Sequence, residues 1–244
     1  MPRPASETNK RRDDTLAQSL KCCVESRISP AFPPFQHERG YMGYKTSKKD
    51  VSRRLGRLGL DDAVEIVSRS LEANKYSSGD RRIMWKEQVL VNFPLLYLAS
   101  IVFYQFAKER GCNTFLFATR DGCHWHRIFR ALFPETVVHY FESSRIMLEN
   151  GHKNDHYNDY VARLLPTQGE PTKMVYVDIH GTGSRMFSYF EHVWRDVPYC
   201  FLLTAREYHV NDFPESTQYW SKAGKLRVLG KIGFKTECCE AKRN

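Results

Sequence analysis

The sequence predicts an α/β fold, a parallel sheet with helices on both faces. Two observations carry this prediction: four short apolar runs follow residue 112, and helix-like segments separate them. Strands that follow one another through intervening helices form parallel sheets, and those helices cover both faces of the sheet. A basic extension with helical segments precedes this part of the chain.

Residues 1–58 are expected to form a basic and largely flexible arm. The stretch is rich in Pro, Ser and charge, and it contributes to a formal net charge of +9 through basic clusters at residues 10–12, 48–49 and 53–57. Such an arm is a possible contact for nucleic acid. No aromatic-basic RNA-binding signature accompanies it, so this partner is not favoured.

Residues 59–111 are expected to form a helical segment that packs on the core. Val64, Val67 and Leu71 recur at helical spacing, and a longer helix is predicted from about 81 to 110. Pro94 should break or restart that longer helix, because proline has no N–H to donate. The α/β phosphate-binding domain is then expected at residues 112–234, and a frayed tail at residues 235–244.

The predicted strands and helices alternate through the α/β domain. The apolar runs predict strands at Thr114–Thr119, Val137–Glu142, Met174–Asp178 and Tyr199–Ala205. Helical spacing predicts helices at residues 125–133 and 185–194, and a short helix that ends near Leu165. Beyond Arg206 the pattern weakens.

Cysteine usage and apolar segments indicate a cytoplasmic protein. The seven cysteines are an odd number and include no C-x-x-C pair, which is typical of neither a disulfide framework nor a zinc site. The N-terminus has no apolar stretch typical of a secretory signal. The most apolar segment, Val89–Ala107, is interrupted by polar residues and Pro94, so we expect a buried helix rather than a membrane span.

The segment Met174–Phe187 carries the clearest chemical signal. A buried strand leads to Asp178 and a turn rich in Gly, Thr and Ser, after which a helix begins. The N–H groups of such a turn and the end of the helix attract phosphate, and the acid can accept from sugar hydroxyls. A plain turn that needs glycine for positive φ is the alternative. The expected phosphate ligands are His180, Gly181, Thr182, Gly183, Ser184 and Arg185.

Polar residues also follow the first two predicted strands. Arg120, Asp121 and Gly122 form a tight turn that suits a second phosphate, with Arg120 supplying positive charge. Ser144 and Arg145 follow the second strand and are expected to close over an anion. Because ligands bind beyond the carboxyl ends of parallel strands, these residues should converge with Asp178.

Asp178–Ser184, D-I-H-G-T-G-S, resembles the loop that binds the ribose 5-phosphate part of phosphoribosyl pyrophosphate in type I phosphoribosyltransferases. Asp178 matches the second acid of that family's acid pair, and Thr182-Gly183 matches its Thr-Gly. The resemblance implies a Rossmann-like sheet, phosphoribosyl transfer with Asp178, Arg120 and Asp121 as catalytic residues, and Mg²⁺ held by Asp178 through the ligand. It also implies a pyrophosphate loop at residues 120–122 and a flexible catalytic loop at residues 148–159.

The chain departs from that family at two positions. Val177 replaces the first acid, and Arg185 stands where threonine is usual. The lost carboxylate favours a non-catalytic binding or regulatory module as an alternative. A second resemblance is closer in sequence: a domain that follows haloacid-dehalogenase-type modules in bacterial surface-polysaccharide proteins. It is similar to this chain at three segments, F-L-F-A-T-R-D-G, E-S-S-R and D-I-H-G-T-G-S. That resemblance implies a role related to nucleotides or sugar phosphates.

A haloacid-dehalogenase-like phosphohydrolase is a further alternative. Residues 175–182 resemble the first motif of that family, with Asp178 as the nucleophile. Thr204 would then supply a phosphate-binding hydroxyl, and Lys222 or Lys225 the lysine. Two features oppose this reading, since His180 replaces the general acid/base and no acidic pair follows to hold Mg²⁺. The leading expectation is a phosphorylated ribose or sugar-nucleotide ligand.

Overall fold

A computed structural model describes residues 46–76, 79–119, 122–165, 171–205 and 213–230. The chain divides into two compact units, residues 1–94 and residues 95–244. In chain order the helices and strands are α1 (Lys48–Arg57), α2 (Asp61–Glu72), α3 (Gly79–Glu87), α4 (Phe93–Lys108), β1 (Thr114–Ala118), α5 (Cys123–Leu132), β2 (Val137–Phe141), α6 (Arg145–Asn150), α7 (Asp155–Leu164), β3 (Met174–His180), α8 (Ser184–Trp194), β4 (Tyr199–Thr204), α9 (Glu215–Lys222) and β5 (Leu226–Gly230).

Helix α1 in the first unit occupies residues that the sequence assigned to a flexible arm. Ser47 caps it, because the Ser47 side chain accepts a hydrogen bond from the Asp50 backbone N–H at 3.1 Å. Val51 and Leu55, one turn apart, are both buried. A cap and one buried pair are enough to define this short helix, although its sequence is dominated by charge.

The long helical stretch at residues 79–108 changes its winding before Pro94. A π-helical turn at Gln88–Asn92 separates α3 from α4, and Pro94 is the second residue of α4. Proline has no N–H to donate to the preceding turn, and the π-helical winding occurs directly before it. The helix continues from Gly79 to Lys108, so the predicted break or restart at Pro94 is present only as this change of winding.

One helix in the described part of the chain, Gly79–Lys108, is long and apolar enough to cross a membrane by length and composition alone. A buried core helix meets the same criteria. Within the second unit, Ala99, Phe103 and Ala107 of α4 are buried among aromatic side chains. The absence of a membrane span stays a prediction.

The second unit contains a five-stranded sheet in the order β2-β1-β3-β4-β5, and all four strand pairs are parallel. This confirms the predicted α/β class. The predicted strands agree with β1 to β4 to within two residues at each end. Nearly continuous apolar runs identified these strands because helices cover the sheet on both sides.

Each face of the sheet has its own hydrophobic core. One core joins Leu116, Tyr176 and Cys200 of the sheet to buried residues of α6, α7 and α8. The other joins alternate sheet residues to α4 and α5, and it is dominated by aromatic rings. Phe103 of α4 lies at the centre of the second core, with its ring 4.9 Å from that of Phe201 and 5.0 Å from that of Phe129.

The segment expected as a flexible catalytic loop, residues 148–159, is helical instead. It contains the end of α6, a 3₁₀ turn at Gly151–Lys153 and the start of α7. Leu148, Gly151 and Tyr157 are buried, and the Asn154 side chain caps α7 by accepting from the Tyr157 N–H. The prediction failed because a polar composition concealed these few buried anchors.

Helix α9 and strand β5 lie beyond the point where the sequence pattern weakens. Strand β5 is at the edge of the sheet, and its residues alternate between half-buried and exposed. Helix α9 has eight residues, of which Thr217 is the one that is buried. Weak apolar periodicity is expected for edge elements with so few buried side chains.

The fold predicts that an acid cannot be restored at position 177. Val177 is fully buried between Phe117 and Phe201 of the neighbouring strands. We expect Val177→Asp to lower the free energy of unfolding of the second unit by about 3–5 kcal/mol, because a carboxylate there would have no partner. Urea denaturation followed by circular dichroism measures this change.

Val137→Asp is the matched control for that substitution. Val137 begins edge strand β2 and is 49% exposed. The same change there should cost less than about 1 kcal/mol, since exposed positions respond weakly. Equal destabilisation by the two variants would contradict the assignment of Val177 to the aromatic core.

Candidate functional site

The strand order creates a crevice between β1 and β3. The chain leaves β1 towards α5, which packs on one face of the sheet, and leaves β3 towards α8, which packs on the other face. Adjacent strands whose connections diverge in this way form a switch point, where open α/β sheets bind ligands. Gly122 of the first connection and residues 181–184 of the second lie at this carboxyl edge.

Side-chain alternation along β3 determines which residues can reach the site. Tyr176 belongs to the core on the α8 side, whereas Val175 and Val177 belong to the aromatic core opposite. Successive residues of a strand point to opposite faces, so Asp178 and His180 share the face of Tyr176. The carboxylate that the resemblance requires at position 177 would therefore point into the aromatic core.

Asp178 lies at the boundary between the core and the turn. Its side chain is partly buried, and its Oδ1 accepts a hydrogen bond from the Ile179 N–H at 2.7 Å. A methyl group on Gly181 would lie 3.6 Å from Asp178 Oδ2, so the turn passes close to the carboxylate. Asp178 and Gly181 therefore lie close together, and their role in ligand binding stays a prediction.

The negative charge of Asp178 affects the pKa values of two buried groups, the Tyr176 hydroxyl and the Cys200 thiol. Burial raises the pKa of the Tyr176 hydroxyl well above its usual range, and the Asp178 carboxylate raises it further. Burial and the same carboxylate raise the pKa of the Cys200 thiol. Both groups are therefore protonated at neutral pH and offer no additional negative charge to the site.

Residues 181–184 form a hydroxyl-lined turn at the start of α8. The Thr182 hydroxyl donates to Ser184 Oγ at 3.0 Å and accepts from the Ser184 N–H at 3.3 Å. Because Ser184 Oγ accepts this bond, its own hydroxyl proton is not used towards Thr182. The first N–H groups of a helix have no carbonyl one turn earlier, so this end of α8 also presents positive charge.

Two glycines allow the backbone to approach closely at the site. Gly183 caps α8 in the left-handed region, with φ of 73°, and a Cβ there would lie 3.0 Å from Cys200 Sγ. A Cβ on Gly122 would collide with the Ala118 carbonyl oxygen. Any other residue at either position would push its turn away from the sheet.

Hydrogen bonds join the loop after β2 to the strands beside it. The Ser143 N–H donates to Thr119 Oγ1 at 3.2 Å, and the Tyr176 hydroxyl donates to Ser143 Oγ at 3.1 Å. The Tyr157 hydroxyl donates to the Glu142 carbonyl at 2.7 Å. Ser144 follows directly and is exposed, so it lies at the same edge as Asp178.

The arginines differ from the expected arrangement where they are described. Arg185 forms an ion pair with Glu149 of α6, and both side chains are partly exposed. This partner offsets the positive charge expected to contact phosphate. Arg120 and Asp121 lie outside the described residues, as does the side chain of Arg145.

The described residues contain no group of three or more His, Cys, Asp or Glu that could hold a metal ion. Mg²⁺ is commonly held by one or two carboxylates together with the phosphates of a substrate. Asp178 provides one carboxylate beside the hydroxyl-lined turn. One carboxylate at this position is compatible with Mg²⁺ that arrives with a phosphorylated ligand, and Mg²⁺ binding stays a prediction.

The contacts of Thr204 and Lys225 do not favour the phosphohydrolase alternative. The Thr204 hydroxyl donates to the Ile179 carbonyl at 3.0 Å and lies 3.0 Å from His180 Nδ1. Lys225 directly precedes β5, and its Nζ donates to the Val197 carbonyl at 2.9 Å. Lys225 and Val197 thus lie at the amino edge of the sheet, opposite the carboxyl edge that holds Asp178.

The sequence reasoning missed the residues that hold the site in place. Thr217 of α9, which is fully buried, donates to the Thr182 carbonyl at 3.2 Å. Tyr176 and Glu149 were also not predicted. Their contacts join residues that are distant in sequence, and no local pattern marks them.

Comparisons with protein families, with curated proteins and with solved structures found no match for this chain.

The two turn glycines should respond differently to alanine. Gly183→Ala should lower the free energy of unfolding by about 1–3 kcal/mol, because the left-handed backbone and the nearby Cys200 both oppose a Cβ. Gly181→Ala has only ordinary contacts and should change it by less than about 0.5 kcal/mol. Urea denaturation of both variants checks this, and equal effects would contradict the described turn.

Proposed function

We propose that this chain binds a phosphorylated ribose or a sugar nucleotide in the crevice between β1 and β3. The observation that carries the proposal is the meeting of Asp178 with the hydroxyl-lined turn at the start of α8. The turn and the helix end provide donors for phosphate, and Asp178 provides an acceptor for sugar hydroxyls. One end of the site thus attracts the anion, and the other suits the sugar.

If the protein is an enzyme, the reaction that this ligand suits is transfer of a phosphoribosyl group with release of pyrophosphate. Gly122 follows β1 and lies across the crevice from residues 181–184. Arg120 would stabilise the charge that develops on the departing pyrophosphate. Mg²⁺ would be held between Asp178 and the ligand, and would offset the charge of the phosphates.

A non-catalytic binding or regulatory module is the second candidate, and Val177 favours it. The side chain at this position is committed to the aromatic core, so the site has one acid where the family has two. A single acid can still bind sugar hydroxyls. Ligand binding without turnover is therefore the outcome that distinguishes this candidate from the transferase.

Thermal unfolding with a panel of ligands tests the proposal. Phosphoribosyl pyrophosphate, ribose 5-phosphate, nucleotides and inorganic phosphate are compared, each with and without Mg²⁺. A ligand at 100 times its Kd should stabilise the folded protein by about 2.7 kcal/mol. Asp178→Asn should remove most of this stabilisation, because it removes the charged acceptor for the sugar hydroxyls.

Asp196→Asn is a matched control for Asp178→Asn. Asp196 accepts a hydrogen bond from the next backbone N–H at 2.7 Å, as Asp178 does, but it precedes β4 at the amino edge of the sheet. This variant should keep the full ligand-induced stabilisation. An unchanged melting temperature across the whole panel, or equal losses in the two variants, would refute the proposed site.

A further inference from the structure

His180 has a hydrogen-bond arrangement that the proposed function does not use. It is the last residue of β3 and pairs in register with Thr204, the last residue of β4. The His180 Nδ1 and Thr204 Oγ1 atoms are 3.0 Å apart. The Thr204 hydroxyl, which is buried, also donates to the Ile179 carbonyl at 3.0 Å.

These two contacts determine which ring nitrogen carries the proton. A threonine hydroxyl has a single proton, and a carbonyl oxygen can only accept. The proton of Thr204 is therefore used by Ile179, and Thr204 can act towards His180 only as an acceptor. Nδ1 must carry the imidazole proton, so Nε2 of the neutral ring has a lone pair and no partner among the described residues.

We infer that His180 accepts a hydrogen bond from a ligand hydroxyl through Nε2, and that Thr204 is the positioning residue that sets its tautomer. The inference rests on the proposed function and deepens it. Asp178 and His180 lie on the same face of β3, two residues apart, so the strand offers two acceptors in succession. Residues 181–184 offer donors instead.

This division of donors and acceptors specifies the ligand class. Phosphate oxygens suit the donors of the turn, whereas acceptors on β3 require a ligand that presents hydroxyl groups. A sugar phosphate with free ring hydroxyls satisfies both parts of the site. Inorganic phosphate satisfies only the first, and 2-deoxyribose 5-phosphate offers one hydroxyl fewer than ribose 5-phosphate does.

NMR of the 244-residue chain labelled with ¹⁵N-histidine tests the inference at about pH 8, where histidine side chains are mostly neutral. His180→Gln assigns the His180 signals among the nine histidines. We expect the Nδ1–H tautomer in the unmodified protein, retention of that tautomer in Thr204→Ser, and its loss in Thr204→Val. A predominant Nε2–H tautomer in the unmodified protein would overturn the inference without need of either Thr204 variant.

Ligand addition then tests the role of Nε2. Ribose 5-phosphate should shift the Nε2 resonance, and inorganic phosphate should leave it nearly unchanged. Thermal stabilisation by ribose 5-phosphate without a shift at Nε2 would overturn the inference and leave the proposed function standing. Absence of stabilisation would overturn the proposed function, and the ligand role of His180 with it, whatever the tautomer.

Discussion

The alternation of side chains along β3 is the constraint on which the rest of the structure depends. This strand is central in the sheet and is covered on both faces, so every second residue belongs to a different core. Val175 and Val177 complete the aromatic core, and Tyr176 completes the core opposite. Asp178 and His180 lie on the same face of the strand as Tyr176. They are only partly buried, because the strand leaves the core at this point.

The same constraint explains how the chain departs from the phosphoribosyltransferase pattern. Two adjacent acids at the end of β3 would require one of them to face the rings of Phe117 and Phe201. In this protein Val177 occupies that position and packs in the core formed with α4 and α5. The end of β3 has a single acid, Asp178, followed by the hydroxyl groups of Thr182 and Ser184. The proposed recognition of a sugar phosphate requires no second acid.

Much of the fold could be predicted from the sequence, because strands β1 to β4 are apolar throughout and the turn glycines are conspicuous. Elements with few buried residues were missed, as α1, α9 and β5 show. The turn at residues 181–184 and the start of α8 were predicted at their correct place, since Gly183 and its neighbours are contiguous. Its supports were not, because Thr217, Thr204 and Glu149 act across long stretches of chain that carry no local signal.

The most direct test of the account is NMR mapping of backbone amide resonances during titration with ribose 5-phosphate. The N–H groups of residues 181–185 should shift most, with smaller changes at Gly122, because the phosphate is expected at the start of α8 and across from the turn after β1. Shifts confined to the amino edge of the sheet, or saturable binding that leaves residues 181–185 unchanged, would contradict the central claim.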